Sequence, residues 1–186
     1  MTDDRRSLAR IPWRTVSTRP VYENPWMRVR EDIAEMPDAR RTVYGVVELA
    51  PAVGVLSFLD SETVVLVGQY RYVGRDFWWE IPTGAIVAGE SETAAAQREL
   101  AEEAGYRAGH LEKLCTFHTS KSVIEETAHI YMATDLTPAS HDADDTEFIE
   151  VKAFPFAQVL AMVERSEILD AMTVVAVLHA ARRRGR

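Results

Sequence analysis

Residues 91–105, SETAAAQRELAEEAG, admit only one secondary structure, and strand-like runs flank them on both sides. Ser91 is a good N-cap, Glu92 complements the first helical turn, and Gly105 sits where a helix stop favours positive φ. The composition between them is strongly helix-forming, so the spacing predicts a helix over 92–104. Upstream, RTVSTRPVYEN, WMRVREDIAEM, RRTVYGVVEL and AVGVLSFL are rich in β-branched and aromatic residues and are punctuated by Asn24-Pro25, Pro37-Asp38 and Pro51. TVVLVGQYRY at 63–72 is almost continuously apolar at its start, as a strand buried on both faces would be. Downstream come strand-like LEKLCTFH, TAHIYMATDL and FIEVKAF, then helical FAQVLAMVER and EILDAMTVVAVLHAARRR. One central helix among strands, closed by two helices, predicts an α/β (α+β) fold with a mixed sheet packed between helices, preceded by an antiparallel strand block. Residues 1–50 are read as an N-terminal strand extension and 51–186 as the main domain; 1–10 are polar and loose.

The helix carries three acids where they do not help it. Glu99, Glu102 and Glu103 fall at i, i+3 and i+4, within about 100° of arc. A helix C-terminus is itself partly negative, so each acid there costs roughly 0.3–1 kcal/mol when exposed. Ala96, Leu100 and Ala104 lie on the adjoining arc, so the acids border the buried side. A hard divalent cation, which takes oxygen ligands, turns that repulsion into coordination. A solvated acidic face beside Arg98 is the plainer alternative on these residues alone.

The surroundings are more specific. Gly84, five residues, Glu90, seven residues, Arg98-Glu99-Leu100, one residue, Glu102-Glu103, one residue and Gly105-Tyr106 make up GAIVAGESETAAAQRELAEEAGY. This pattern resembles the signature of the Nudix hydrolases, with Tyr106 in the final apolar place. The resemblance implies a Nudix-type α/β/α sandwich and hydrolysis of a nucleoside diphosphate linked to another moiety. It implies Mg²⁺ as cofactor, with Mn²⁺ as a substitute, held by the Thr83 carbonyl, Glu99, Glu103 and Glu102, the last also counted among the catalytic residues. Arg98 orients those acids, and Glu90 holds Arg98 or an outer water. Gly84 and Gly89 allow the tight loop before the helix.

GQYRYVGRDFWWEIPTG, YENPWMRVRED and EILDAMTVVAVLHA resemble segments of the nucleoside-diphosphate-sugar hydrolases, chiefly the ADP-ribose pyrophosphatases, so that the likeness runs over about residues 13–180. By that resemblance Arg71 contacts the diphosphate, a task its planar fork suits. Glu80 is a site glutamate near the metals, or the partner of Arg71 or Arg75. HTSKSVIEETAHIYMA aligns with the loop carrying the catalytic base, which makes Glu126 the base and Glu125 its neighbouring acid. Lys121 stands where many ADP-ribose enzymes have proline, which keeps GDP-mannose or another nucleotide sugar open as the substrate. A nucleotide-sugar-sensing module without catalysis is the rival from another class. In the resembled subgroup the N-terminal block crosses to a second subunit, so a homodimer is expected, with Trp26 and Tyr44 as candidates to stack on the base or to pack at the interface.

Composition sets the outer limits. The 186-residue chain has a net charge of −8, which argues against a polyanionic nucleic acid or an anionic membrane as its main partner. The single cysteine, Cys115, excludes an internal disulfide framework and a cysteine zinc site. Neither a signal peptide nor an 18-residue apolar span is visible, so cytoplasmic residence is expected. His118 and His129 are read as ordinary sheet residues, Trp78 or Trp79 as packing, DADD at 142–145 as a polar loop, and RRRGR as a solvated helix end complementing the dipole.

Overall fold

The computed structural model describes residues 8–140 and 148–185. DADD at 142–145 lies outside them. The chain divides into two compact units: residues 1–50 with 118–126, and 51–117 with 127–186.

In the larger unit, β4 (Ala52–Phe58) is the axis of a mixed sheet. It runs parallel to β10 (Thr127–Pro138) and antiparallel to β5 (Thr63–Arg71) and β7 (Thr83–Ala85). β11 (Glu150–Pro155) and β6 (Asp76–Glu80) pair with β5, and β8 (Tyr106–His118) flanks β10. Every residue of β4 is buried, the signature of a strand covered on both faces. Alternation then sorts the side chains. Val53, Val55, Val65 and Val67 pack on Ala95, Ala96, Leu100 and Ala104 of α1 (Glu92–Ala104). Leu56, Val64 and Leu66 pack against α2 (Phe156–Glu164) and α3 (Ala171–Arg183) through Phe156, Val159, Ala176, Val177 and Ala180. Each fully buried Val, Leu or Phe contributes roughly 1.5–3 kcal/mol, and together they fix α1 on one face and α2 and α3 on the other. This is the α/β/α sandwich.

The expected helix ends hold for α1: the Ser91 side chain accepts from the Ala94 N–H, and Gly105 adopts φ 73°. α3 starts at Ala171, later than the helical pattern from Glu167 suggests, because Asp170 caps it by accepting from the Thr173 N–H. The basic end of α3 differs from the expected solvated tail. Arg183 pairs with Glu112 and donates to the carbonyls of Lys113 and Leu114, both at 3.2 Å, while Arg184 bonds the Ser61 carbonyl and lies 4.6 Å from the centre of the Phe58 ring. Their long stems make them packing residues as well as charges.

The smaller unit is a single sheet, ordered β1 (Arg14–Glu23), β2 (Met27–Glu35), β3 (Arg41–Leu49) and β9 (Ile124–Glu125). β1, β2 and β3 form an antiparallel meander, and β9 joins β3 in parallel. Among its described residues only Asp32 and Ala34 are buried, and Trp26 and Val43 are largely exposed.

Candidate active site

The site in the larger unit grows from the β7–α1 corner. Gly84 allows the close approach there: a Cβ at this position would fall inside the Glu99 carboxylate. Glu99 and Glu103 are buried on α1 although both are acidic. The Thr83 N–H donates to Glu103 Oε2 at 2.9 Å, which brings the residue whose carbonyl is the expected ligand against a metal-ligand candidate. Glu102, one residue round the helix, is more exposed and accepts from Arg98 Nη1 at 3.1 Å.

Arg98 ties the loop to the helix. Its Nε and Nη2 reach the two Glu90 oxygens at 3.1 and 3.0 Å, Nη2 also reaches the Ala85 carbonyl at 2.9 Å, and Nη1 reaches Glu99 Oε1 at 2.6 Å. Glu90 above all, then Glu99 and Glu102, keep the guanidinium charged against the cost of partial burial. The Glu90 carboxyl is held below the usual range by the same contact, and it also accepts from the Val87 N–H. Arg98 and Glu90 therefore shape the loop and brace the acids.

A second arginine lies within electrostatic reach of Glu103. Arg71, near the end of β5, makes a forked pair with buried Glu80: Nε to Oε1 at 2.9 Å and Nη2 to Oε2 at 2.5 Å. The Glu80 hydrogen bonds, opposed by burial, raise its pKa, with Glu103 and Asp170 adding at longer range. Of the alternatives for Glu80, the geometry displays the Arg71 partner. Its strand is anchored from behind by a link not visible in the sequence: the Ile81 N–H donates to Thr173 Oγ1 at 3.0 Å, and that buried hydroxyl donates to Asp170 Oδ2 at 2.6 Å. Only the fold brings residues 81 and 173 together.

Oxygen-only donors, two of them buried carboxylates, are the donor chemistry of Mg²⁺ and Mn²⁺. As placed, no three His, Cys, Asp or Glu side chains among the described residues converge closely enough to hold an ion. Arg98 serves as the counter-charge to Glu99 and Glu102, and the Gly84 cradle leaves Glu99 room. The donor set fits the cation.

In the smaller unit, Trp26 follows an Asx turn in which Asn24 Oδ1 accepts from the Trp26 and Met27 N–H groups, and its ring is 80% exposed. Tyr44 on β3 meets Trp13 edge-on, with ring centres 6.2 Å apart, and both line a cleft of about 370 Å³ with Arg30 and Asp32. Glu125, on β9, is paired with Arg30 at 3.0 Å, while no partner of the Glu126 carboxylate is found among the described residues. Lys121 is exposed. The charged alternation of β2, Arg28, Arg30 and Asp32 at period two, was a legible signal of an ion cluster that the sequence reading passed over.

His129 stays a sheet residue: its Nδ1 lies 3.2 Å from both Lys113 Nζ and Thr116 Oγ1, and burial lowers its pKa against the opposing pull of Glu92. Trp79 packs on Phe77 and Phe154, and Trp78 covers Gly74.

Comparison with known proteins agrees with this geometry. The NUDIX domain model matches residues 48–172. The chain belongs to the Nudix family. The Nudix domain follows a segment, residues 13–47, that matches the nucleoside diphosphate sugar hydrolase N-terminal domain. This Nudix hydrolase is 30% identical over 166 residues to an ADP-ribose pyrophosphatase of Bacillus subtilis, covering 88% of this chain and 90% of that one. A GDP-mannose pyrophosphatase of Citrobacter koseri is 31% identical over 125 residues, covering 62% of this chain and 65% of its own. A crystal structure of an ADP compounds hydrolase superposes with a TM-score of 0.82 at 25% identity, covering 94% of this chain and 96% of that one. Nudix hydrolases generally use divalent metals. No helix among the described residues is long and apolar enough to cross a membrane.

Proposed function

We propose that this Nudix hydrolase cleaves the phosphoanhydride of ADP-ribose in a Mg²⁺-dependent reaction, yielding AMP and ribose 5-phosphate. The observation that carries it is Arg71, held in a fork by buried Glu80 and within electrostatic reach of Glu103 of α1, so that one unit holds both an arginine and the carboxylates that a diphosphate with its cation needs. The likeness to the Bacillus subtilis ADP-ribose pyrophosphatase spans both units and supports this substrate over GDP-mannose, for which the likeness covers 62% of the chain.

The Thr83 carbonyl, Glu99, Glu103 and Glu102 would hold the cation. When bound there, Mg²⁺ supplies neutralisation of the diphosphate and polarisation of water. Arg71 grips phosphate oxygens and disperses charge as the anhydride breaks. Arg98, with Glu90, keeps Glu99 and Glu102 oriented. Glu126 removes the proton of the attacking water, for which a carboxylate with no ion pair among the described residues is suited, whereas Glu125 is engaged by Arg30. Trp26 and Tyr44 offer aromatic faces to the base.

A homodimer through residues 1–50 accompanies this function. Support comes from a sheet that buries only Asp32 and Ala34 of its own described residues and exposes Trp26, Val43 and Tyr22. The substrate is tested by hydrolysis of ADP-ribose, GDP-mannose, UDP-glucose, NADH and diadenosine polyphosphates with Mg²⁺, products being identified by mass. AMP from ADP-ribose at the highest kcat/KM is expected; preference for another member reassigns the substrate, and binding without turnover of any favours a sensor.

A further inference from the structure

Arg30 sits in β2 with three carboxylates around one guanidinium. Its Nε donates to Asp32 Oδ2 at 3.0 Å, and its Nη1 meets Glu48 and, at 3.0 Å, Glu125 Oε2. Arg28 takes the other Glu48 oxygen. Exposed ion pairs contribute little, about 0–1 kcal/mol. This cluster is different in kind: the Arg30 and Glu48 side chains are 22% and 23% exposed, Asp32 is 9% exposed, and Arg28 and Glu125 reach in from the surface.

Glu125 belongs to a short segment that joins the sheet through a brief ladder. β9 is two residues long and matches β3 only at Val47↔Ile124 and Glu48↔Glu125. Beside that ladder, the Val47 N–H donates to the Val123 carbonyl at 2.8 Å. Within the segment, Ser120 Oγ accepts from the Ser122 and Val123 N–H groups, and the Thr119 N–H donates to the Glu126 carbonyl. A strand of two residues is marginal without side-chain anchors.

We propose that Arg30 is a positioning residue: by clamping Glu125 to the sheet it sets the backbone of Glu126, the catalytic base. Successive side chains of an extended segment point to opposite faces, so Glu125 seated on Arg30 directs Glu126 away from the Arg30 cluster and keeps its carboxylate clear of that guanidinium. The pair divides the labour, one acid as anchor and its neighbour as base. The inference rests on the reading of Glu126 given under the proposed function. Precision matters because a base displaced by about 1 Å can lose up to about 100-fold in rate.

The test is steady-state kinetics of the full chain with Mg²⁺ and ADP-ribose, or whichever panel member is turned over fastest. Arg30→Gln, Arg30→Lys and Glu125→Gln are measured alone and with Glu126→Gln. Arg30→Gln is expected to lower kcat about tenfold while leaving KM and the Mg²⁺ half-saturation within about twofold. Arg30→Lys recovers part of the loss, and Arg30→Gln adds nothing once Glu126 is Gln. Glu125→Gln, a change at an exposed side chain that spares the β2 pairings, shows the same kcat-only loss and decides the matter if Arg30→Gln does not fold. Unchanged kcat in Arg30→Gln or Glu125→Gln beside an inactive Glu126→Gln overturns the clamp and spares the base. An equal loss from Arg30→Gln in both backgrounds also overturns it, as a general structural effect. Full turnover by Glu126→Gln overturns the base assignment, and the clamp with it.

Discussion

At the scale of single residues, Glu103, buried against the Thr83 N–H, and Glu80, forked on Arg71, are acids with different work, and a neutral isostere at each tells them apart. Glu103→Gln keeps the size and the Thr83 N–H contact but removes a charge from the ligand set. Outer partners of a metal site already carry about 10–100-fold in activity, so this change is expected to lower kcat by about 100-fold or more with an unaltered circular dichroism spectrum. Glu80→Gln loosens the Arg71 fork instead. Its kcat/KM is expected to fall about tenfold with the Mg²⁺ half-saturation unmoved; a shift in metal dependence would make Glu80 a ligand. Glu90, Glu99, Glu102, Glu103, Gly84 and Arg98 were legible because their spacing is fixed along one loop and one helix. The Arg71 fork was half legible, since the sequence offered Glu80 as partner without choosing it. Thr173 and Asp170 were not legible, because their contact to Ile81 crosses 92 residues and depends on α3 docking behind the sheet.

At the scale of elements, the expected strands and helices are present, the short strands β6, β7 and β9 join them, and the remaining differences fall at element ends. β8 begins directly after Gly105 and runs 13 residues, longer than its apolar run, because pairing in the sheet carries the polar stretch Tyr106–His110 along. α3 waits for its Asp170 cap. Asp170→Ala removes that cap and leaves the buried Thr173 hydroxyl short of an acceptor; a loss of about 1–2 kcal/mol is expected, or about 2–4 °C in Tm for each kcal/mol. The contact of α1 with β8 and β10 also carries a pH signature. Glu92 accepts from Lys113 and, at 2.7 Å, from the Tyr131 hydroxyl, and His129 lies beside them. Burial depresses the His129 pKa below its ordinary 6.5, so the unfolded chain protonates first as pH falls. Stability from this residue is therefore whole above about pH 6.5 and declines below it. His129→Asn is expected to flatten the fall of Tm between pH 7 and 5 relative to the unaltered chain; parallel curves would show that His129 is not buried in its neutral form.

At the scale of the whole molecule, the larger unit carries the acids of α1 and the Arg71–Glu80 fork, and the smaller unit carries the Arg30 cluster and the exposed side chains Trp26 and Val43. That exposed surface predicts a dimer mass by light scattering, and Trp26→Ser with Val43→Ser is expected to shift it toward monomer. The proposed Mg²⁺-dependent hydrolysis is tested most sharply by the initial rate of ADP-ribose cleavage against Mg²⁺ concentration, for the unaltered chain and for Glu103→Gln, with products weighed. A saturable Mg²⁺ requirement, AMP and ribose 5-phosphate as the products, and a curve for Glu103→Gln lower by about 100-fold are expected. Turnover without divalent metal, or equal rates in the two proteins, would contradict it.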